Sequence, residues 1–261
     1  MSASSGSVPE FNDARPKPRM RPRATLVEIV VGLGVVGLVI ALLAPVYRGS
    51  GPGARHARDA GRRTQCQSNL RQIALALQNY EQAHEALPPA YTVDAKGRPL
   101  HSWRTLILPY LEQEPLYKTI DLSKPWNDPA NARAFDAAPL VFRCPESVEP
   151  RNTTTYLAIV APNGCFLPTR SRRLAEITDA HESTLMVIEA GQENAVPWMA
   201  PIDAGVPLVM SLGRTWKLHH SGGTDACFVG SNVAFLKATT PAKVRRALIS
   251  IAGNDDEDAK E

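Results

Sequence analysis

The residues of this 261-residue chain with the most chemistry to offer are four cysteines, a histidine pair and a few acids. The cysteines stand at 66, 144, 165 and 227, and no C-x-x-C pair occurs, so a zinc-ribbon pattern is missing. His219 and His220 are adjacent and run into Ser221-Gly222-Gly223. Two imidazoles can bind a metal, but no HExxH and no third ligand at useful spacing accompanies them. The pair is therefore expected in a turn, with an imidazole hydrogen-bonded to the backbone and positive φ at both glycines. Asp225 beside that turn and Asp179 in "ITDAHES" are oxygen donors for calcium, without EF-hand spacing. No G-x-S-x-G elbow and no G-x-x-x-x-G-K phosphate loop is found. The sequence thus predicts no catalytic residue, no metal and no cofactor.

One motif points elsewhere. Gly32-Leu33-Gly34-Val35-Val36-Gly37 has the G-x-G-x-x-G form of a dinucleotide-binding turn, and Asp59 follows at the distance such a turn wants. The surroundings do not fit it. After Gly37 the chain is wholly apolar to Ala44, and Pro45 would end an amphipathic helix after about two turns. The segment that would hold Asp59, "RGSGPGARHARDAG", is rich in Gly and Arg and reads as no strand. Ile29 to Tyr47 carries no charge, and its nineteen residues span about 28 Å as a helix, close to a hydrocarbon core. Glycine is common in such helices and allows close approach. The run exceeds the core of a cleaved signal, and the best cleavage site has Leu42 and Pro45 in the wrong places. A retained transmembrane helix is expected.

The positioning elements follow from periodicity. Leu70, Ile73, Leu77 and Tyr80 recur at helical spacing, with Gln72, Gln78, Glu81 and Gln82 on other faces, before Pro88-Pro89 ends the pattern. The stretch "GSGPG" at 49–53 predicts a hinge before this helix. "HSWRTLILPYLEQEPLYKTID" predicts a helix entered near Ser102 and kinked at Pro109, with Trp103, Leu106, Leu111, Leu116 and Tyr117 in the core. Thr154–Ala161 and Ser183–Gly191 read as strands, and "ACFVGSNVAFL" as a hairpin turning at Gly230-Ser231. Pro241 starts a last helix with Val244, Leu248 and Ile251 on one face, ended by Gly253. Basic residues flank the apolar run on both sides. Arg15, Lys17, Arg19, Arg21 and Arg23 precede it and Arg48, Arg55, Arg58, Arg62 and Arg63 follow it, a tie under the positive-inside comparison. The tighter clustering of the first five favours a cytoplasmic N-terminus, and the apolar run beside them favours anionic lipid over nucleic acid as partner.

"TLVEIVVGLGVVGLVIALLAPV" resembles the N-terminal segment of type IV pilins and type II secretion pseudopilins, with Thr25, Leu26, Val27, Glu28 and Pro45 matching. In that family a peptidase cuts after a Gly, and the Glu neutralises the amine of a neighbouring subunit. The resemblance gives Glu28, Gly34 and Gly37 roles in helix assembly. Arg23 and Ala24 stand at the cleavage position where the family has Gly and Phe, a departure that opposes cleavage. Further blocks, among them "CQSNLRQIALALQNYEQAHEALPPAY", "SWRTLILPYLEQEPLY", "FRCPES" and "HHSGGTDACFVGSNVAFL", resemble the pilin-like DUF1559 proteins of planctomycete bacteria. Cys66 and Cys144 fall in two of those blocks, and the resemblance implies a disulfide between them in an oxidising compartment. Cys165 and Cys227 are either a second bridge or two buried thiols.

Together these imply a pilin-like α+β fold. Residues 1–23 form a basic cytoplasmic arm, 24–48 a transmembrane helix and 49–63 a hinge. Residues 64–252 form an extracytoplasmic domain, with an amphipathic helix packed on an antiparallel sheet, and 253–261 form an acidic tail. The function implied is a single-pass inner-membrane, pseudopilin-like structural or assembly protein and not an enzyme, with the bilayer and like subunits as partners. The alternative is an unprocessed tether that presents a module for glycans or other envelope ligands.

Overall fold

The computed structural model describes residues 25–47, 52–213 and 216–253, with side chains 42–47 and 52–56 apart. The chain divides into two units, Met1–Arg55 and His56–Glu261.

In the first unit, helix α1 spans Leu26–Tyr47. Its start is fixed by a reciprocal capping box. The Thr25 backbone N–H donates to Glu28 Oε2 at 2.8 Å, and the Glu28 N–H donates to Thr25 Oγ1 at 3.4 Å. Every described side chain of α1 is exposed, including Leu26 at 80% and Leu33 at 68%. A methyl group added at Gly34 or Gly37 would meet no atom within 4 Å among the described residues. Also among the described residues, no helix is long and apolar enough to cross a membrane. Arg23, Ala24, the N-terminal arm and the acidic tail from residue 254 lie outside the described residues.

The second unit is α+β, as expected. Helix α2, Pro52–His84, buries Leu70, Ile73 and Leu77 completely and packs Tyr80 at the edge of the core. Residues 52–63, assigned to a hinge, are helical. Pro52 sits at the first helical position, where its missing N–H costs nothing, and the Arg and Ala residues that follow favour helix. Strands β1 (Tyr91–Val93) and β2 (Pro99–Ser102) form an antiparallel pair. The helix expected after Ser102 is instead broken into α3 (Trp103–Leu106), a 3₁₀ turn over Leu108–Leu111 and α4 (Glu114–Tyr117). Glu112 takes a left-handed conformation at φ 58°, and Pro109 and Pro115 remove two helical donors. Trp103 is fully buried, while Leu111, Leu116 and Tyr117 pack half-buried at the core edge.

After α5 (Ala132–Asp136) the chain forms β3 (Thr153–Thr154) and β4 (Tyr156–Ala158), then β5 (Leu185–Glu189) and β6 (Val196–Pro197). A short helix α6 (Val206–Met210), the hairpin β7 (Gly223–Phe228) and β8 (Val233–Lys237), and α7 (Ala242–Ile249) complete it. The main sheet has the order β4-β5-β7-β8 and is antiparallel throughout, and β3 pairs with β6. β4, β5 and β7 are buried on both faces, whereas the edge strand β8 buries only Leu236. Tyr156, Ala158 and Cys227 face the core that holds Leu70, Trp103 and Trp198. Leu157, Leu185, Ile188, Ala226 and Phe228 face a second core with Val209, Leu212, Trp216 and Ile249. A register shift between Leu185 and Val187 lets Met186 and Val187 both join the first core. The hairpin turns at Gly230-Ser231 as predicted, with Ser231 at φ 62°. The last helix ends at Ile249 rather than at Gly253, and its buried residues are Arg245 and Ile249 while Val244 is exposed.

His101 in β2 is fully buried, and neither ring nitrogen finds a hydrogen-bond partner among the described residues. Burial pushes its pKa below the usual histidine value of 6.5, only partly opposed by the Lys124 and Asp121 backbone and the Asp121 charge. A depressed folded pKa stabilises the fold above the unfolded value and loses that stability as pH falls. Stability should therefore decline as pH drops below about 6.5, a decline that His101→Leu diminishes. Urea midpoints of the two proteins between pH 7 and pH 5 test this, and parallel curves would refute it.

Candidate functional site

Four chain segments deliver polar groups to one buried place on the α2 side of the sheet. α2 supplies Cys66, and the loop after the 3₁₀ turn Leu140–Phe142 supplies Cys144. β5 ends on Glu189, and the turn into β7 supplies His220. One donor atom from each lies within 4.8 Å of the others, and all four residues are buried. Sγ of Cys66 is 2.8 Å from Sγ of Cys144 and 3.8 Å from Glu189 Oε1. His220 Nε2 is 3.4 Å from Glu189 Oε2 and 4.0 Å from Cys144 Sγ.

A second layer holds these groups. His219 Nδ1 stands 3.4 Å from Glu189 Oε1, and Asp225 Oδ2 stands 3.9 Å from His220 Nε2. Asp225 is fully buried, accepts from Gln67 Nε2 at 3.0 Å and lies 3.8 Å from Arg63 Nε. The Arg63 guanidinium stacks over the Phe235 ring at 3.8 Å, a cation–π contact that fixes it. Thr224 Oγ1 donates to the Glu189 carbonyl. A cleft of about 410 Å³, lined by Asp59, Arg63, Glu146, His219 and His220, opens onto the cluster.

The electrostatics follow from this crowding. Burial works against a charged His220, but hydrogen bonds to Cys66 and Glu189 outweigh it and push its pKa up to about 10. The contact with Cys144 draws the Cys66 thiol below its usual value. The same contact, with burial and the Glu189 charge, drives Cys144 far upward. Burial lifts Asp225, and burial lowers His219. Two thiols, an imidazole and a carboxylate are the donor types of a tetrahedral zinc site.

Several sequence expectations need correction here. Cys66 and Cys144 meet, but as free thiols rather than as a disulfide. No ligand set was expected around the His pair, yet two partners arrive through the fold from Cys144 and Glu189. The ring of His220 faces side chains and not the backbone, because β5 and α2 crowd it with acid and thiols. Of the two glycines only Gly222 has positive φ, at 84°. Gly223 lies in β7, where a Cβ would run into the Leu236 carbonyl and the Phe235 ring, so close packing explains it. Asp225 and Asp179 sit in separate networks, since Asp179 caps the Gly253 N–H. Cys165 and Cys227 are free and buried, and burial pushes each thiol up to about 12.

The cluster also bears on kinship. Two of its members, Cys66 and Cys144, fall within residues 55–160, and that span matches the family model described as "Protein of unknown function (DUF1559)". Over residues 55–160 the chain is similar to the DUF1559 family. Glu189, His219, His220 and Asp225 follow the matched span, so the polar cluster is completed by residues beyond it. No curated protein and no solved structure matches the chain.

Proposed function

We propose that this chain is a membrane-anchored, pseudopilin-like structural or assembly protein of the cell envelope, held by α1 with its α+β unit on the extracytoplasmic side. The observation that carries this is the surface of α1. From Leu26 to Ala41 its residues are apolar apart from Glu28, and all are exposed. An apolar surface of that extent in water marks a membrane or partner contact. In the sequence the uncharged run continues to Tyr47, which brings it to the length of a bilayer core. Gly34 and Gly37 would let a second helix approach closely.

The capping box favours a second form of this reading. Glu28, the acid of the pilin-like motif, already accepts from the Thr25 N–H of its own helix. Its carboxylate therefore has a local role that needs no neighbouring subunit. With Arg23 in place of the cleavage Gly, that role suits an unprocessed tether presenting a module for glycans or other envelope ligands.

Mass spectrometry of the protein from a membrane fraction separates the two. A chain beginning at Ala24, methylated, supports assembly. An intact N-terminal arm supports the tether. Recovery of the protein only from the soluble fraction would refute both.

A further inference from the structure

We propose that Cys66, Cys144, Glu189 and His220 form a binding site for one thiophilic divalent cation of the zinc class. This goes beyond the envelope role and does not depend on it. In a tetrahedral zinc site with bonds of about 2.3 Å to sulfur and 2.0–2.2 Å to nitrogen or oxygen, neighbouring donors lie roughly 3.3–3.8 Å apart. With one donor atom from each residue, all four lie within 4.8 Å of one another. His220 Nε2 is 3.4 Å from Glu189 Oε2 and 4.0 Å from Cys144 Sγ, and Cys66 Sγ is 3.8 Å from the other carboxylate oxygen, Oε1. Only the thiols, at 2.8 Å, are too close, and they need to part by roughly 1 Å, within the reach of a side-chain adjustment.

An independent observation points to a cation. Glu189 Oε2 and Asp225 Oδ2 stand 3.4 and 3.9 Å from His220 Nε2, and His219 Nδ1 stands 3.4 Å from Glu189 Oε1, all buried and at ion-pair range without hydrogen-bond geometry. Buried His219 Nε2 has no hydrogen-bond partner among the described residues. Native interiors rarely leave such groups unpaired. A dication at the centre would take a Glu189 oxygen as ligand and offset the charge that Asp225 adds nearby. The outer groups are placed as a metal site requires. His219 lies against Glu189, and Gln67 and Arg63 hold Asp225 beside His220. The cleft beside Arg63 and Glu146 gives an entry path.

The donor types choose the ion. Two thiolates disfavour calcium and magnesium, which take oxygen ligands, and two cysteines, one histidine and one glutamate match neither the Cys₄ nor the Cys₂His₂ ligand set of an iron–sulfur cluster. On binding, the protons still held by the thiols and by the imidazole nitrogen that ligates leave to solvent. No electrons move. The ion would tie α2, β5, the Cys144 loop and the turn before β7 into one unit.

The test uses the full chain in mild detergent, kept reduced and anaerobic, stripped with a chelator and dialysed against Zn²⁺. One zinc per chain is expected, lost on adding chelator. With Co²⁺ the wild-type protein should show a thiolate-to-cobalt charge-transfer band and the intense ligand-field bands of tetrahedral coordination. Cys66→Ser and Cys144→Ser should each weaken binding by at least about 10-fold, as should His220→Gln. Cys165→Ala should retain one zinc. Sub-stoichiometric zinc with no charge-transfer band in the wild type would overturn the proposal without reference to any variant. So would binding unchanged in the Cys66→Ser/Cys144→Ser double variant. Isolation of a metal-free Cys66–Cys144 disulfide from membranes alkylated at harvest would overturn it too.

Discussion

Replacing Asp203 with Ala should destabilise the second unit by about 3–5 kcal/mol, because it strands a buried guanidinium. Arg104 on α3 is fully buried, and the Asp203 side chain is 4% exposed. Its Nη1 donates to Asp203 Oδ1 at 2.7 Å and to the Tyr156 carbonyl at 3.2 Å. Its Nε donates to the Trp198 carbonyl, and its Nη2 to the carbonyls of Ala200 and Ile202, all at 2.8–2.9 Å. Asp203 supplies the only full negative charge among these partners. The same Oδ1 also accepts from Trp103 Nε1 and from the Ala158 N–H, both at 2.9 Å. Its loss leaves three donors without their acceptor and one charge without its counterion. Asp203→Asn retains an acceptor of the same shape and should cost less. The midpoint of thermal unfolding should fall by roughly 6–20 °C in the Ala variant, on the scale of 2–4 °C per kcal/mol for a domain of this size. A shift below about 2 °C would show that the pair is not needed.

Trp103→Ala should cost a similar 3–5 kcal/mol, by a different mechanism. The indole is fully buried, edge-on to Phe142 at 6.3 Å and tilted against Phe166 at 5.7 Å. Truncation would leave a cavity that rigid neighbours, including the stacked Phe142–Trp198 pair at 5.9 Å, cannot close. Trp103→Phe keeps most of the volume but loses the bond to Asp203, and should cost about 1–3 kcal/mol. Because Trp103 and Asp203 share that bond, the Trp103→Ala/Asp203→Ala double variant should lose less than the sum of the singles. Urea unfolding at constant m-value measures all three. Strict additivity would contradict the shared network.

These two residues show how unevenly the fold could be read from the sequence. The stripe Leu70, Ile73 and Leu77 was legible because a long helix repeats its burial every three or four residues. The β7–β8 hairpin was legible because Gly230-Ser231 punctuates two apolar runs. Trp103 was assigned to the core by its size alone. Arg104, its neighbour, was not, since a charged residue is buried only when a distant partner such as Asp203 meets it. The segment after Ser102 is not one helix because Pro109 and Pro115 remove helical donors and Glu112 turns left-handed between them.

The candidate site was harder still. Cys66 and Cys144 are 78 positions apart, and Glu189 is one acid among many in the sequence. Ligand searches by local spacing do not find groups that a sheet and a helix bring together. The one available signal was that the His pair and the two cysteines fell in separate blocks of the same resemblance. At the N-terminus the reverse happened. Thr25-Leu26-Val27-Glu28 carried a family motif, and the local capping box in the same four residues went unread.

The central claim is that α1 lies in lipid and that the unit from His56 onward stands outside the cytoplasm. Protease added to intact spheroplasts tests it most directly. The account predicts that the C-terminal unit is digested while cytoplasmic markers survive, leaving a small membrane-bound fragment that contains α1. Full protection of the C-terminal unit until the membrane is lysed would contradict it.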